Sequence, residues 1–381
     1  MLIDISNLSE EDTDNALENI YKALGDGDQD SLWDHHPSPF IRRLIELFTQ
    51  RGLVRMDALR QEWLAWMEGR RHTGSPPPQQ RPGMMRMWSP EEMQLVNLYL
   101  SALPSSAFTL DDHMMLVDYL VQRYLPADSL RTEAEWLTTR SALMGRVQAN
   151  MATVTVAQAD TIIGAMPLTV ASARTRFRLN PRQLAVLNFS ASRAADRVQK
   201  VSDDTRYRMR TLIRRHTEGL TLKDSVFSGR ALQSKLVEDF GTLNRDWRRI
   251  AVTEAGEALN QGLVSSLKPG ARLKRIEQYR GACAFCRKID GREVTVVAPH
   301  QAIKDPDSNI WVGKDNYGRS ASPNKRVGSS LIERTPDERW WVPAGTAHPN
   351  CRGRWVPVHR PKPGDDPEFA AWLKQTLGGK K

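Results

Sequence analysis

Three cysteines occur in 381 residues, and all of them stand at ligand spacing. Cys283 and Cys286 form a Cys-x-x-Cys, and Cys351 follows His348 in a His-x-x-Cys. Thiolates and imidazole are donors that zinc accepts, and two donors separated by two residues can grip one ion from a tight turn. Four protein donors complete a tetrahedron, so the expected centre is closed and structural rather than catalytic. The two pairs are separated by the 61 residues from 287 to 347. One ion would therefore pin together the ends of a long loop, where a cross-link removes much chain entropy.

The same residues admit other chemistry. A redox Cys-x-x-Cys needs a strand before it and a helix starting at it, and the sequence reads as strand-like on both sides. Ordinary buried cysteines are a further reading. His300, His348 and Asn350 could build the metal-activating site of a His-Asn-His-type nuclease, although a second Cys-x-x-Cys and a paired-histidine motif are missing. Elsewhere there is no phosphate-cradling glycine loop, no Gly-x-Ser-x-Gly elbow and no His-Glu-x-x-His. His35 and His36, in DHHPSP, read as a polar loop, and Glu254 reads as a helix-packing carboxylate. Arg352 and Arg354 flank the second pair and could hold thiolate charge or reach an outside partner.

These side chains need elements to position them. FIRRLIELF and MDALRQEWLAWM gather apolar residues on one helical face. Ser89-Pro90-Glu91-Glu92 and Thr109 with Asp112 are helix starts, and Asp128 opens a third helix. Residues 153–179 read as loop or short strand. Asn180 and Pro181 begin a long helix ending near Gly219. It carries an apolar stripe (Leu184, Leu187, Ala191, Ala194, Val198) among many arginines. Of these, Arg193, Arg197, Arg208, Arg214 and Arg215, together with Arg352 and Arg354, are candidate phosphate contacts, against the alternative of a solvated helix face. Residues 229–240 predict a helix stopped at Gly241, followed by a second helix to about Gly262. RLKRIEQY, REVTVV and RWWVPA then read as short strands, with Asp290-Gly291 as a turn. A long basic loop, 298–339, completes a small domain.

The fold class expected is thus a mainly α-helical body with a small C-terminal α+β domain built around a zinc-knuckle-like Cys/His site. Its segments are an acidic helical stretch (1–72), a proline-rich linker or arm (73–88), a helical segment (89–152), a further helical part (153–268), the small Cys/His domain (269–358) and a tail (359–381). The net charge of +9 is unevenly placed, because residues 1–50 hold eleven acids against three cations. The remainder carries +17, which attracts polyanions such as nucleic acid. No run approaches the roughly 20 apolar residues of a membrane span, so no membrane partner is expected.

The order IAVTEAGEALNQG, CAFCRKIDGREV, HPNCR resembles the phage Mu F-type minor head protein domain. The matching positions are Thr253, Glu254, Asn260, Gly262, Cys283, Cys286, Asp290, Gly291, His348, Pro349, Asn350, Cys351 and Arg352. The likeness covers about residues 180–358, and Gly353 stands where family members often have another cysteine. It implies a structural minor capsid protein of a tailed phage or prophage, located in the virion near the portal. The implied partners are the portal protein, the major capsid protein and packaged double-stranded DNA, with a role in head morphogenesis and DNA packaging or delivery. A metal-dependent nuclease and an internal protein ejected with DNA are the competing readings.

Overall fold

The computed structural model describes residues 31–67, 88–104, 107–221, 229–359 and 366–378. Most of the acidic excess, in residues 1–30, and the proline-rich arm up to residue 87 lie outside them. The described chain is mainly helical, with a small C-terminal region of mixed sheets.

In chain order the helices are α1 (Arg42–Met67), α2 (Pro90–Ala102), α3 (Leu110–Tyr124), α4 (Ala127–Asn150), α5 (Val156–Ala165), α6 (Val170–Arg176), α7 (Pro181–Thr221) and α8 (Gly229–Ser266). The starts of α2 and α3 follow from local chemistry. Ser89 and Thr109 accept from the backbone N–H of Glu92 and Asp112, whose carboxylates return the bond. Residues 153–179 differ from the expected loop or strand. Thr155 with Gln158 and Thr169 with Ser172 make two further capping boxes, and each starts a short helix. The polar fourth residue was the overlooked signal.

One expected break is absent: helix α8 runs through Gly241. Helix α1 likewise runs through Gly52. A Cβ at Gly52 would lie 1.8 Å from the Trp247 indole, so the glycine serves close packing rather than termination.

The chain divides into two compact units interleaved in sequence, and α1, α4, α7 and α8 each contribute residues to both. One unit comprises the described residues within 50–130 and 197–247. Its core holds Trp63, Leu100, Leu116, Leu120 and Trp247, all fully buried. Within it Asp118 pairs with Arg206 at 3.3 Å and Arg210 at 3.2 Å.

The other unit comprises residues 31–49, 131–196 and 248–381. In it, α4 and α8 touch backbone to backbone: a Cβ on Gly262 would sit 2.1 Å from the Ala142 carbonyl oxygen. The sheet that follows has the order β3-β2-β1-β6, made of β1 (Arg272–Ile276), β2 (Glu293–Val296), β3 (Asn309–Ile310) and β6 (Arg354–Pro357). Strand β1 is antiparallel to β2 and β6, with Lys274 opposite Glu293 and Arg275 opposite Trp355. Between β1 and β2 lies the short helix α9 (Ala284–Ile289). The long loop contains an exposed hairpin, β4 (Asn324–Val327) and β5 (Ser330–Glu333). RWWVPA is not a strand; the neighbouring RWVP, 354–357, takes that role as β6. The final residues include α10 (Pro367–Gly378), which buries Phe369 and Leu373, while Asp366 pairs with Arg146 at 2.6 Å.

Candidate metal centre

Helix α9 begins at the first cysteine. Cys283 is its N-cap, and its sulfur accepts from the Cys286 N–H at 3.4 Å. The helix corrects the strand-like reading around Cys-x-x-Cys, and with it the main argument against a redox pair. What favours metal is the company the pair keeps. His348 Nε2 lies 3.3 Å from Cys283 Sγ and 3.2 Å from Cys286 Sγ, and Cys286 Sγ lies 3.9 Å from Cys351 Sγ. Tetrahedral zinc, with Zn–S of about 2.3 Å and Zn–N of about 2.0 Å, requires S···S edges of about 3.8 Å and S···N edges of about 3.5 Å. Three donor-to-donor distances therefore lie close to those of a bound ion, and Cys351 joins the cluster through Cys286.

They do not form one equidistant set. Within 4.8 Å the donors fall into two overlapping triads, Cys283–Cys286–His348 and Glu277–Cys286–Cys351, which share Cys286. The second triad is fully buried and includes a carboxylate that the spacing argument missed. Around Cys351 Sγ are Glu277 at 3.7 Å, Arg275 Nη2 at 3.7 Å and the Tyr279 hydroxyl at 3.7 Å. A signal for Arg275 did exist: it alternates with Leu273 on β1, so a half-buried strand must turn both to the same face.

The electrostatics follow from this crowding. The hydrogen bond with Cys286 pulls the Cys351 thiol well below the usual range; burial opposes this, and Arg275 adds to it. Cys286 is pushed up by the same hydrogen bond and by burial. Burial raises Cys283, but the Cys286 N–H and His348 outweigh it and the group is lowered. Burial would lower His348, yet Cys351 and the Pro349 carbonyl raise it.

Helix α8 positions the second knuckle. The Thr253 hydroxyl accepts from Asn350 N–H at 2.8 Å, which holds Asn350 in a left-handed conformation at φ 64°. Glu257 accepts from the Thr346 N–H and hydroxyl, while Asn260 donates to the Gly353 carbonyl at 2.9 Å and accepts from Trp355 N–H at 3.0 Å. Across the first knuckle, Asp290 accepts from Glu277 N–H at 2.8 Å, and Gly291 turns the chain at φ 77°.

The candidate phosphate contacts divide. Arg193 reaches Glu254 at 2.8 Å and Glu257 at 3.5 Å, and Arg208 reaches Asp239 at 3.3 Å. Arg352 is buried and donates to the Ser31 carbonyl, so it does not reach outward. Arg354 is half-buried on β6. Arg197, Arg214 and Arg215 are exposed. His300 is exposed after β2 and belongs to neither metal-capable triad. His36 is not in a solvated loop: it is fully buried, and its Nδ1 accepts from Ser38 N–H at 3.1 Å.

One lysine of the basic loop is interior. Lys314 Nζ donates to the carbonyls of Pro306 at 2.6 Å and Asn309 at 2.8 Å, and sits over the rings of Trp311 and Trp341. Burial pushes it down to about 8, with Asp307 and Asp305 opposing. The folded value lies below the unfolded value, so the unfolded state binds more protons between them. Stability therefore rises from about pH 8 to about pH 10.5, by up to about 3 kcal/mol before the ring contacts offset part of it. Urea unfolding across that range should show the rise in the native chain and its loss in Lys314→Met; equal slopes would refute this role.

Comparison with protein-family models, with curated proteins and with solved structures finds no match. No helix among the described residues is long and apolar enough to cross a membrane.

Proposed function

We propose that the chain is a zinc-stabilised structural component of a tailed-phage head, a minor capsid protein acting beside the portal and inner capsid. The observation that carries this reading is the convergence of the motif residues by which the chain resembles the phage Mu F-type domain. Thr253 and Asn260 on α8 bind the backbone of Asn350, Gly353 and Trp355, next to the thiols of Cys283, Cys286 and Cys351 and the His348 ring. The motif thus builds one place rather than several.

Zinc is the ion best matched to three sulfurs and one imidazole nitrogen. Held by Cys283, Cys286, His348 and Cys351, it would tie together the ends of the long loop; a centre with four protein donors would be structural and leave no position for a water to activate. The portal and major capsid proteins are the proposed partners. Arg197, Arg214 and Arg215, being exposed, are the arginines left to meet packaged double-stranded DNA.

Gradient-purified heads from the phage or induced prophage encoding the chain provide the test. Mass spectrometry should find the chain in the head fraction at low copy number. Its absence from heads, or plasmid nicking by the pure protein that is lost in His348→Ala, would overturn the proposal in favour of a nuclease.

A further inference from the structure

Cys351 differs from the other donors in what surrounds it. Cys283 and His348 face each other at the open side of the centre, whereas the Cys351 side chain is fully buried against Arg275, Glu277 and Tyr279. A third thiolate inside a protein is costly unless a positive charge or donated hydrogen bonds compensate it. Arg275 can supply both. Its side chain is 0% exposed and its Nη2 points at Cys351 Sγ from 3.7 Å. Three other contacts fix the guanidinium: Nε donates to Glu277 at 2.7 Å, Nη1 donates to the Gly345 carbonyl at 2.9 Å, and its carbon lies 5.3 Å from the centre of the Trp355 ring.

The main chain is built around this pair. At Gly353 a Cβ would fall 2.0 Å from Glu277 Oε1 and 2.5 Å from Arg275 Nη2. Only glycine leaves the two side chains room beside Cys351.

We infer that Arg275 is a positioning residue of the metal centre: its buried guanidinium, held by Glu277 and the Gly345 carbonyl, fixes the Cys351 sulfur in place as the fourth donor. This rests on the zinc reading above. Three donors, Cys283, Cys286 and His348, lie together without it; Cys351 joins them only while Arg275 holds its sulfur beside Cys286. Glu277 has a divided role, anchoring Arg275 while setting a negative charge next to the sulfur.

Cobalt(II) bound to the full chain reads the number of thiolates through its sulfur-to-metal charge-transfer band, and competition with a chelator reads affinity. The native chain should show three thiolates. Arg275→Met should lose about one third of the band and bind zinc about 10- to 100-fold more weakly, the range expected for a partner that orients a ligand. Arg275→Lys, which keeps the charge, should recover the three-thiolate band. Glu277→Gln, which keeps an acceptor for Arg275 and removes the negative charge, should bind zinc as tightly as the native chain or more so. If Arg275→Met does not fold, Arg275→Gln takes its place with the same expectation.

A purely structural role for the pair predicts weakening in Glu277→Gln as well, with the band intact in every folded variant, and that result would overturn the inference. An unchanged band and affinity in the uncharged Arg275 variant would also overturn it while leaving the zinc reading standing. No cobalt binding by the native chain would remove both.

Discussion

Cys351→Ser weakens metal binding by at least about 10- to 100-fold and loosens the region after residue 269. About one zinc per native chain is expected, and a chelator that the native centre resists should strip it from the variant, because serine replaces a thiolate with a neutral hydroxyl that does not ligate zinc. Cys283→Ser should behave in the same way. The consequence for stability is large because of chain length. Cross-linking the ends of a loop of some 60 residues removes about 4 kcal/mol of chain entropy from the unfolded state in the simplest loop-closure treatment. An ion bridging Cys283–Cys286 to His348–Cys351 is such a cross-link. The stretch between the knuckles carries little regular structure of its own beyond the strands packed in the core with Leu273 and Trp355, since β3 has two residues and the β4–β5 hairpin is almost wholly exposed. Metal analysis together with limited proteolysis checks this. Metal-free native protein with the same resistance to cleavage as the zinc-loaded form would refute it. The metal should also be lost on acidification, because protons compete for thiolate and imidazole alike.

Asn260→Ala is expected to cost about 2–6 kcal/mol without removing a ligand. Asn260 is fully buried on α8, and its amide pairs with both the Gly353 carbonyl and the Trp355 N–H. Alanine would leave two buried backbone groups unpaired, at roughly 1–3 kcal/mol each. Both groups lie within four residues of Cys351, so the strand β6 that carries the second knuckle would be loosened where it joins the helix. Denaturant unfolding of Asn260→Ala against Asn260→Asp separates the two halves of the bond, because aspartate can still accept from Trp355 but cannot donate to Gly353. A loss below about 0.5 kcal/mol in the alanine variant would show that water or a local shift satisfies these groups, and that α8 does not hold the knuckle as argued.

Much of this molecule was legible in one dimension. The capping boxes at Ser89 and Thr109, the start at Pro181 and the strands at 272 and 293 rest on contacts within four residues or on strict alternation, and both are written directly in the chain. The four donors were legible for the same reason, since ligand spacing within a knuckle is local. The break at Gly241 was misjudged because a glycine inside a helix has two opposite meanings. It ends the helix when the chain must turn, and it continues the helix when another element needs the space. Only the neighbour decides, and at Gly52 the neighbour is Trp247, 195 positions away.

By itself the sequence determined which side chains can hold a metal and which short segments begin helices, because those properties depend on residue type and near spacing. The tertiary structure alone decided how those groups are charged and who supports them. It placed Arg275 and Glu277 behind Cys351, turned Arg193 inward to Glu254 and Glu257, and buried Arg352, Lys314 and His36 where composition would have left them in solvent. Charge counted along a chain says nothing of burial. In a low-dielectric interior each cation settles where an anion, a carbonyl or a ring compensates it, and such partners are brought together by the fold rather than by proximity in sequence.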